Sequence, residues 1–465
     1  MKAEKSELDQ RCRALLQTSP WPNRPFIIDG LSHAELHLLA ARLYWQLKDI
    51  APAQPICLAS EDKGLCAAAL LAALAGGPPI LLPYALSPQA LAALNTATGY
   101  SHALVSDAPD NMLELPPGVQ PVRVPMHPKD VPAASRPLPS TPATGTVLHL
   151  FTGGSTGAPQ LWSKTAANLF GEALFIAAHH GIGSEDRIVA TIQPYHIYGL
   201  LYSVLLPLVS GASVLAPTPA FPEEMVEAIR TNDISIFISV PAHYRALANK
   251  SCASSALRLA FSSAGMLAAA DSLDFSQANQ VGIDEIYGST ETGGIACRNR
   301  FRGEDHFIVL PPISWRLGPE ERLCVRSPFL SPELPLDADN FFHTADRILP
   351  QDANGFTLLG RTDLVVKVGG KRVDLEPIRL LLQEQTGVRE AVVLALPEGG
   401  SRENRIAAIL TEIRPDAVDM EALRHELGRR LEPYAMPRIL KLVPQIPVKT
   451  NGKYDREAIL ALVSA

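Results

Sequence analysis

Residues 151–159 read FTGGSTGAP, a run of glycine, threonine and serine directly behind the apolar stretch Val147–Leu150. Glycines let a backbone approach an anion closely, and the N–H and hydroxyl donors of such a run can converge on phosphate oxygens. No lysine follows the last glycine, so this is not a Walker A loop. An isolated run of this kind reads equally well as a flexible turn, and its partners downstream decide. Tyr287–Gly294, YGSTETGG, brings an aromatic ring, hydroxyls and the Glu291 carboxylate. The ring can stack on a base, and a carboxylate beside a triphosphate is a natural Mg²⁺ ligand. Asp346 in FHTADRI, and Arg361 and Asp363 in GRTD, read as charged residues on loops. Lys453 stands in PVKTNGKYDR, where a glycine-flanked loop could carry an ammonium group into a cleft. A cation placed there neutralises charge developing on a phosphoryl oxygen.

The elements that must position these residues follow from the pattern of the chain. Ser32 and Glu35 form a capping box ahead of a helix running to about Leu47. The proline-rich segment Pro121–Pro142 can hold neither a helix nor a central strand and reads as a connector. A helix is expected over Ala166–His180. Short β-rich runs (RIVATI at Arg187, ASVLA at Ala212, ISIFISV at Ile234, LRLAFSS at Leu257) then alternate with helical ones such as PEEMVEAI at Pro222. That alternation predicts a layered α/β domain. Beyond Gly360 the texture changes to a basic hairpin, VVKVGGKRV, a helix from about Leu375 and the strands VREAVVLAL and RIAAILTEI. A helix near Met420–Leu431 and a closing polar loop complete a small α+β domain. The division is therefore 1–360 for the large domain and 361–465 for the small one.

Composition agrees with an enzyme of ordinary type. Of 465 residues, 47% are hydrophobic and 19% charged, enough apolar material for more than one core. A net charge of −7 without a basic block argues against nucleic acid as the main partner and gives no reason for membrane insertion. The N-terminus lacks the apolar core of a signal peptide, so a cytoplasmic location is expected. Cys12, Cys57, Cys66, Cys252, Cys297 and Cys324 lack CxxC spacing and read as reduced core thiols.

Taken in order, these segments resemble the adenylate-forming superfamily of acyl- and aryl-CoA synthetases, peptide-synthetase adenylation domains and luciferases. The likeness is strong in patches from about Val147 to the C-terminus; the first 140 or so residues fit by texture alone. The resemblance implies a large layered N-terminal α/β domain and a small mobile α+β C-terminal domain. It implies that Thr152, Gly153, Gly154, Ser155, Thr156 and Gly157 embrace the β- and γ-phosphates of ATP. By the same likeness Tyr287 stacks on adenine, Thr290 contacts the α-phosphate or the substrate carboxylate, and Glu291 holds Mg²⁺. Asp346 binds the ribose hydroxyls with help from Arg361, Asp363 is the hinge, and Lys453 is the adenylation lysine. The implied reaction is attack of a carboxylate on the α-phosphorus of MgATP, then capture of the acyl adenylate by the thiol of CoA or of a phosphopantetheinyl acyl carrier protein. The thiol-acceptor face would include Lys367, Gly369, Gly370, Lys371 and Arg372.

The chain departs from the family pattern at several points. Gly153 stands where serine is usual, Gln160 where a lysine is usual, Ala345 where glycine precedes the aspartate, and Pro377 where an acidic residue is common. Lys164, four residues after Gln160, is read as a substitute for the missing charge. Members that activate amino acids usually carry an aspartate in the segment that here reads QPYHIYGLL; His196 and Tyr198 stand there instead. The substrate is therefore expected to be an aryl or medium acyl carboxylate, lined by His196, Ser263, Ala264, Gly265 and Gly288. Two other classes share these motifs: a nucleotide-binding regulatory protein without turnover, and a luciferase-like oxidase of the adenylate.

Overall fold

The computed structural model describes residues 2–17, 19–50, 54–107, 113–126, 136–152, 160–252, 254–368, 371–397, 404–449 and 454–464. The chain divides into two compact units. The first comprises Met1–Asp305, Leu310–Ile313 and Ser327–Pro335; the second comprises His306–Val309, Ser314–Arg326 and Leu336–Ala465.

In the first unit, β1 (Ile56–Leu58), β2 (Ile80–Leu82), β3 (His102–Ser106), β4 (Gln120–Val124), β5 (Thr146–Thr152) and β6 (Gln160–Thr165) form a sheet in the order β4-β3-β1-β2-β5-β6. Its pairs are parallel except for β5 with β6. Pro121 is tolerated because β4 is an edge strand, where a missing N–H costs no ladder bond. A second set, β7 (Arg187–Ala190), β8 (Ser213–Val214), β9 (Ile236–Ser239), β10 (Leu259–Ser262), β11 (Ile283–Ser289) and β12 (Gly293–Arg298), runs in the order β12-β11-β10-β9-β7-β8. Here only β11 with β12 is antiparallel.

The helices of this unit are α1 (Lys2–Gln17), α2 (His33–Ile50), α3 (Lys63–Leu74), α4 (Pro88–Thr98), α5 (Ala166–His179), α6 (Ile197–Leu200), α7 (Leu206–Ser210), α8 (Pro222–Thr231), α9 (Pro241–Ala246) and α10 (Ala269–Asn279). The capping box of Ser32 with Glu35 is present, with Ser32 N–H donating to Glu35 Oε2 at 2.8 Å. Every residue of α3 is buried, as its Ala- and Leu-rich sequence requires. It packs with α2, α5 and α7 in one core that also takes Ile56, Leu58, Ile80 and Leu82 from one sheet and Ile188, Ile236, Ile238 and Phe261 from the other. Strand alternation sends Cys57 and Leu81 to the opposite face, against Leu91 and Leu94 of α4. Phe237 likewise turns toward Met225, Ile229, Tyr244 and Phe275 of α8, α9 and α10. The result is a helix–sheet–helix–sheet–helix layering, the α/β fold that the alternation of runs predicts.

In the second unit, β13 (Phe307–Val309), β14 (Ser314–Leu317), β15 (Arg322–Arg326), β16 (Phe342–Pro350) and β17 (Gly355–Arg361) pair antiparallel in the order β14-β15-β16-β17-β13. The hairpin of β18 (Val365–Val368) and β19 (Lys371–Asp374) follows, then α11 (Leu375–Gln383), β20 (Val388–Pro397), β21 (Asn404–Glu412), α12 (Met420–Arg430), β22 (Ile439–Leu442) and α13 (Arg456–Ser464). The closing polar loop expected from the sequence in fact holds β22 and α13. β22 adds to β21 in parallel, and α13 buries Ile459 and Val463, one helical turn apart, against Leu394, Leu396 and Ile409. The three apolar residues of β22 and the six of α13 lie among polar residues and prolines, which hid them in the sequence. The six cysteines are free thiols, five of them buried. Among the described residues no helix is long and apolar enough to cross a membrane.

Candidate functional site

In the first unit β7, β9, β10 and β11 are parallel, so their carboxyl ends share one edge of the sheet, the edge at which open α/β sheets bind ligands. His196 follows β7 and holds the N-cap position of α6; Ser263, Ala264 and Gly265 follow β10; Tyr287 and Gly288 are among the last residues of β11. The topology thus brings the residues read as adenine-stacking and acyl-lining to one edge. Ser263 Oγ donates to the Ile286 carbonyl at 2.9 Å, which fixes the loop after β10 beside the strand that carries Tyr287. Ala264 has φ 72°, an unusual conformation for a residue with a side chain.

The turn between β11 and β12 carries Thr290 and Glu291. Ser289 and Thr292 close it: Ser289 N–H donates to Thr292 Oγ1 at 3.0 Å, and Thr292 N–H to Ser289 Oγ at 3.2 Å. Gly288 is read from the sequence as lining the substrate, and the structure gives it a second reason to be glycine. A Cβ there would fall 2.2 Å from the Gly293 carbonyl oxygen, across the bulge between the two strands.

Two buried charges hold this turn from below, and neither was singled out for that role by the sequence. Lys164, on β6, is 1% exposed, and its Nζ donates to the carbonyls of Phe329 at 2.9 Å and Glu291 at 3.4 Å. Glu172, on α5, is 4% exposed, and its Oε1 accepts the Gly294 N–H at 2.7 Å. Burial pushes the Lys164 ammonium down to about 8, opposed by the nearby carboxylates of Glu172, Glu291 and Glu333. Burial likewise pushes Glu172 up, opposed by Lys164 and the Gly294 N–H. The reading of Lys164 as a replacement for the lysine missing at Gln160 is corrected by this geometry. An ammonium sealed in the core and bonded to two backbone carbonyls is not presented to a phosphate.

His196 lies in the segment between β7 and the helical run α6–α7, its ring edge-on to Tyr195 at 4.7 Å. Gly199 lets this segment fold back on itself, since a Cβ at 199 would fall 2.1 Å from the Gln193 carbonyl oxygen. Gly199→Ala is therefore expected to displace residues 193–196 and to cost about 3 kcal/mol of stability, read from a denaturant midpoint. A further polar chain stands at the ends of β7 and β9, where His243 Nδ1 and Thr191 Oγ1 lie 2.8 Å apart and Thr191 Oγ1 and Ser239 Oγ 2.8 Å apart. The sequence shows only Thr191 and Ser239, each the last but one residue of its apolar run.

In the second unit, Asp346 and Arg361 are not on loops. They stand opposite each other on β16 and β17, with Arg361 Nη1 3.4 Å from Asp346 Oδ1. Asp363 lies in the 3₁₀ turn Thr362–Leu364, which leads straight into β18. Thr362 Oγ1 donates to the Ala345 carbonyl at 3.2 Å, so the turn is tied back to β16. Arg347 makes ion pairs with Glu321 and Asp374, and Asp374 caps α11. Lys367 and Lys371 are exposed on the β18–β19 hairpin, and Arg372 pairs with Lys367 in its register.

Gly153, Gly154, Ser155, Thr156 and Gly157, Gly369, Gly370 and Lys453 lie outside the described residues. Their flanks are described. Thr152 and Gln160 pair across β5 and β6, with Thr152 Oγ1 donating to the Gln160 carbonyl at 3.3 Å. Val448 and Tyr454 form an antiparallel bridge, Asp455 N–H donates to the Pro447 carbonyl at 2.9 Å, and Tyr454 OH donates to Glu390 Oε1 at 2.7 Å.

Among the described residues no group of three or more His, Cys, Asp or Glu side chains could hold a metal by itself. A half-buried carboxylate in a turn, Glu291, suits a hard cation whose other ligands are phosphate oxygens and water.

The sequence profile of the AMP-binding enzymes matches residues 16–317, more than half of the chain. The chain belongs to the AMP-binding enzyme family. It is similar to the p-hydroxybenzoic acid–AMP ligase FadD22 of Mycobacterium tuberculosis, 27% identical over 484 residues that cover 94% of this chain and 66% of that protein. The chain thus spans just under two thirds of that relative's length. It is 29% identical over 332 residues to a probable 2-succinylbenzoate–CoA ligase of the same organism, covering 67% of this chain and 83% of that one. Among solved structures, ATP-bound MatB from Rhodopseudomonas palustris superposes with a TM-score of 0.82 at 18% identity, covering 98% of each chain. That likeness is one of fold, an AMP-binding enzyme fold running nearly end to end.

Proposed function

We propose that this AMP-binding enzyme activates a carboxylic acid with ATP to an acyl adenylate and passes the acyl group to a thiol, of CoA or of a carrier protein's phosphopantetheine. The observation that carries the proposal is the shared edge of β7, β9, β10 and β11. It gathers Tyr287, the Thr290–Glu291 turn, Ser263–Gly265 and His196 in an AMP-binding enzyme fold. Glycine-rich residues 152–157 would grip the β- and γ-phosphates, Tyr287 would stack on adenine, and Asp346 with Arg361 would bind the ribose. Glu291 would hold Mg²⁺, which when bound screens the triphosphate and favours departure of pyrophosphate. Thr290 would donate to the α-phosphate or the acid. Lys453 would place its ammonium on the oxygens between the attacking carboxylate and the α-phosphorus, lowering the repulsion of two anions.

The hairpin carrying Lys367, Gly369, Gly370, Lys371 and Arg372 would receive the thiol after residues 361–465 turn about Asp363. The buried clusters of residues 373–440 and 394–463 give that segment apolar cores of its own within the second unit. For the acid, an aryl or medium acyl carboxylate is proposed, because His196 and Tyr198 occupy the segment where an amine-binding aspartate would be needed. The names of the relatives, p-hydroxybenzoic acid and 2-succinylbenzoate among them, lean the same way.

The test is ATP–pyrophosphate exchange across a panel of aryl, acyl and amino acids. Exchange that depends on an aryl or acyl acid is expected, with amino acids inactive. No exchange with any acid in the panel would sink the proposal, and exchange with amino acids alone would overturn the substrate class.

A further inference from the structure

Lys164 and Glu172 are buried charges for which the proposed reaction has no direct use. Burying two opposite charges is rarely the most stabilising choice, and a well-packed apolar pair usually does as well or better. What these two do is specific. Each spends its hydrogen bonds on main-chain groups of, or next to, a single turn. Lys164 Nζ donates to the Glu291 carbonyl at 3.4 Å, which also accepts the Ser331 N–H at 2.8 Å, and to the Phe329 carbonyl at 2.9 Å. Glu172 Oε1 accepts from Gly294 N–H at 2.7 Å.

The turn is shaped to admit them. Gly293 has φ +69°, and a Cβ there would meet Glu172 Oε2 at 2.8 Å; a Cβ at Gly294 would meet Glu172 Oε1 at 3.4 Å. The paired glycines that end YGSTETGG are therefore the space into which a carboxylate fits, not punctuation alone. Both charges come from the elements that follow the glycine-rich segment: Lys164 stands opposite Leu148 in the β5–β6 ladder, and Glu172 is on α5, whose N-terminus at Thr165 is fixed by a capping box with Asn168.

We propose that Lys164 and Glu172 are positioning residues that clamp the Thr290–Glu291 turn to β6 and α5, holding the Glu291 carboxylate where the adenylation reaction needs its metal ligand. The clamp rests on the adenylation reading for its purpose, but its existence as a local restraint does not. It acts through the backbone of Glu291 and touches neither nucleotide nor acid.

Removing one charge alone leaves the other buried without its counter-charge, so the first variant is the neutral pair Lys164→Met/Glu172→Gln. It keeps both volumes and the acceptor for Gly294 N–H but removes the donor to Glu291. The second is Glu172→Asp, which keeps the charge and shortens its reach. For the double variant, the half-saturating Mg²⁺ concentration and the KM for ATP in pyrophosphate exchange are expected to rise about tenfold, the usual scale for groups that orient a metal ligand. The KM for the acid should stay within about twofold in the same comparison. Glu172→Asp should show the same split at a smaller size, about threefold.

Hydrogen–deuterium exchange of the peptide spanning 289–294 provides a readout that needs no activity. It should speed up in both variants while the peptide spanning α3 is unchanged. Equal exchange at 289–294 in parent and variants would overturn the clamp, whatever the activity shows. So would KM values for ATP and acid that rise together, the mark of a general core defect. If the parent itself shows no pyrophosphate exchange, the adenylation reading has failed, and the deuterium measurement still decides the clamp.

Discussion

Lys453→Ala is expected to lower carboxylate-dependent ATP–pyrophosphate exchange by about 10²–10³-fold, the range found when one group aimed at developing charge is removed from a water-poor site. The loss should fall on kcat, with the KM for ATP changing by less than about threefold, because the ammonium acts on charge that appears during transfer and not on the bound ground state. The flanks make a purely structural explanation testable. The Val448–Tyr454 bridge, the Asp455 N–H bond to Pro447 and the Tyr454 bond to Glu390 are made by residues other than Lys453. An alanine at 453 leaves all of them in place, so the melting temperature should be unchanged. Exchange measured at saturating ATP and acid decides the matter; a loss smaller than about tenfold would remove Lys453 from the chemistry.

Asp363→Pro is expected to separate the two half-reactions. Adenylation should persist within about threefold, while thioester formation, assayed with free CoA and with a phosphopantetheinylated carrier protein, should fall about 10²-fold. Asp363 is the second residue of the 3₁₀ turn Thr362–Leu364, in which Val365 N–H returns to the Thr362 carbonyl. Proline is favoured at the second position of a turn, and its ring fixes φ near −65°. The substitution confines the backbone at 363 to φ near −65° and denies it others. A hinge that must change φ and ψ between half-reactions would stall in one of its states. Equal loss of both half-reactions, or of neither, would show that the chain does not turn at Asp363.

The layered fold was legible because the apolar runs of the parallel strands are short, continuous and separated by helical stretches, a pattern set by burial on both faces. The capping box at Ser32, the helix after Thr165 and the β18–β19 hairpin were legible for local reasons, since each is specified by residues a few positions apart. What was not legible depends on partners far away in sequence. Asp346 and Arg361 look like loop charges until β16 and β17 pair them. β22 and α13 exist because β21 and its neighbours offer them a surface. Lys164 misled for the same reason. A lysine near a phosphate-type loop suggests a phosphate ligand, and nothing within ten residues announces that carbonyls from Glu291 and Phe329 will close over it.

The pairing of Thr152 with Gln160 has a consequence for how such a chain can change. Because the ends of the glycine-rich segment are already held together by a strand ladder, the sheet meets the entropy of bringing them together. Each doubling of a loop's length adds only about 0.6 kcal/mol to closure. Selection can therefore rewrite the composition, and even the length, of that segment with little cost to folding.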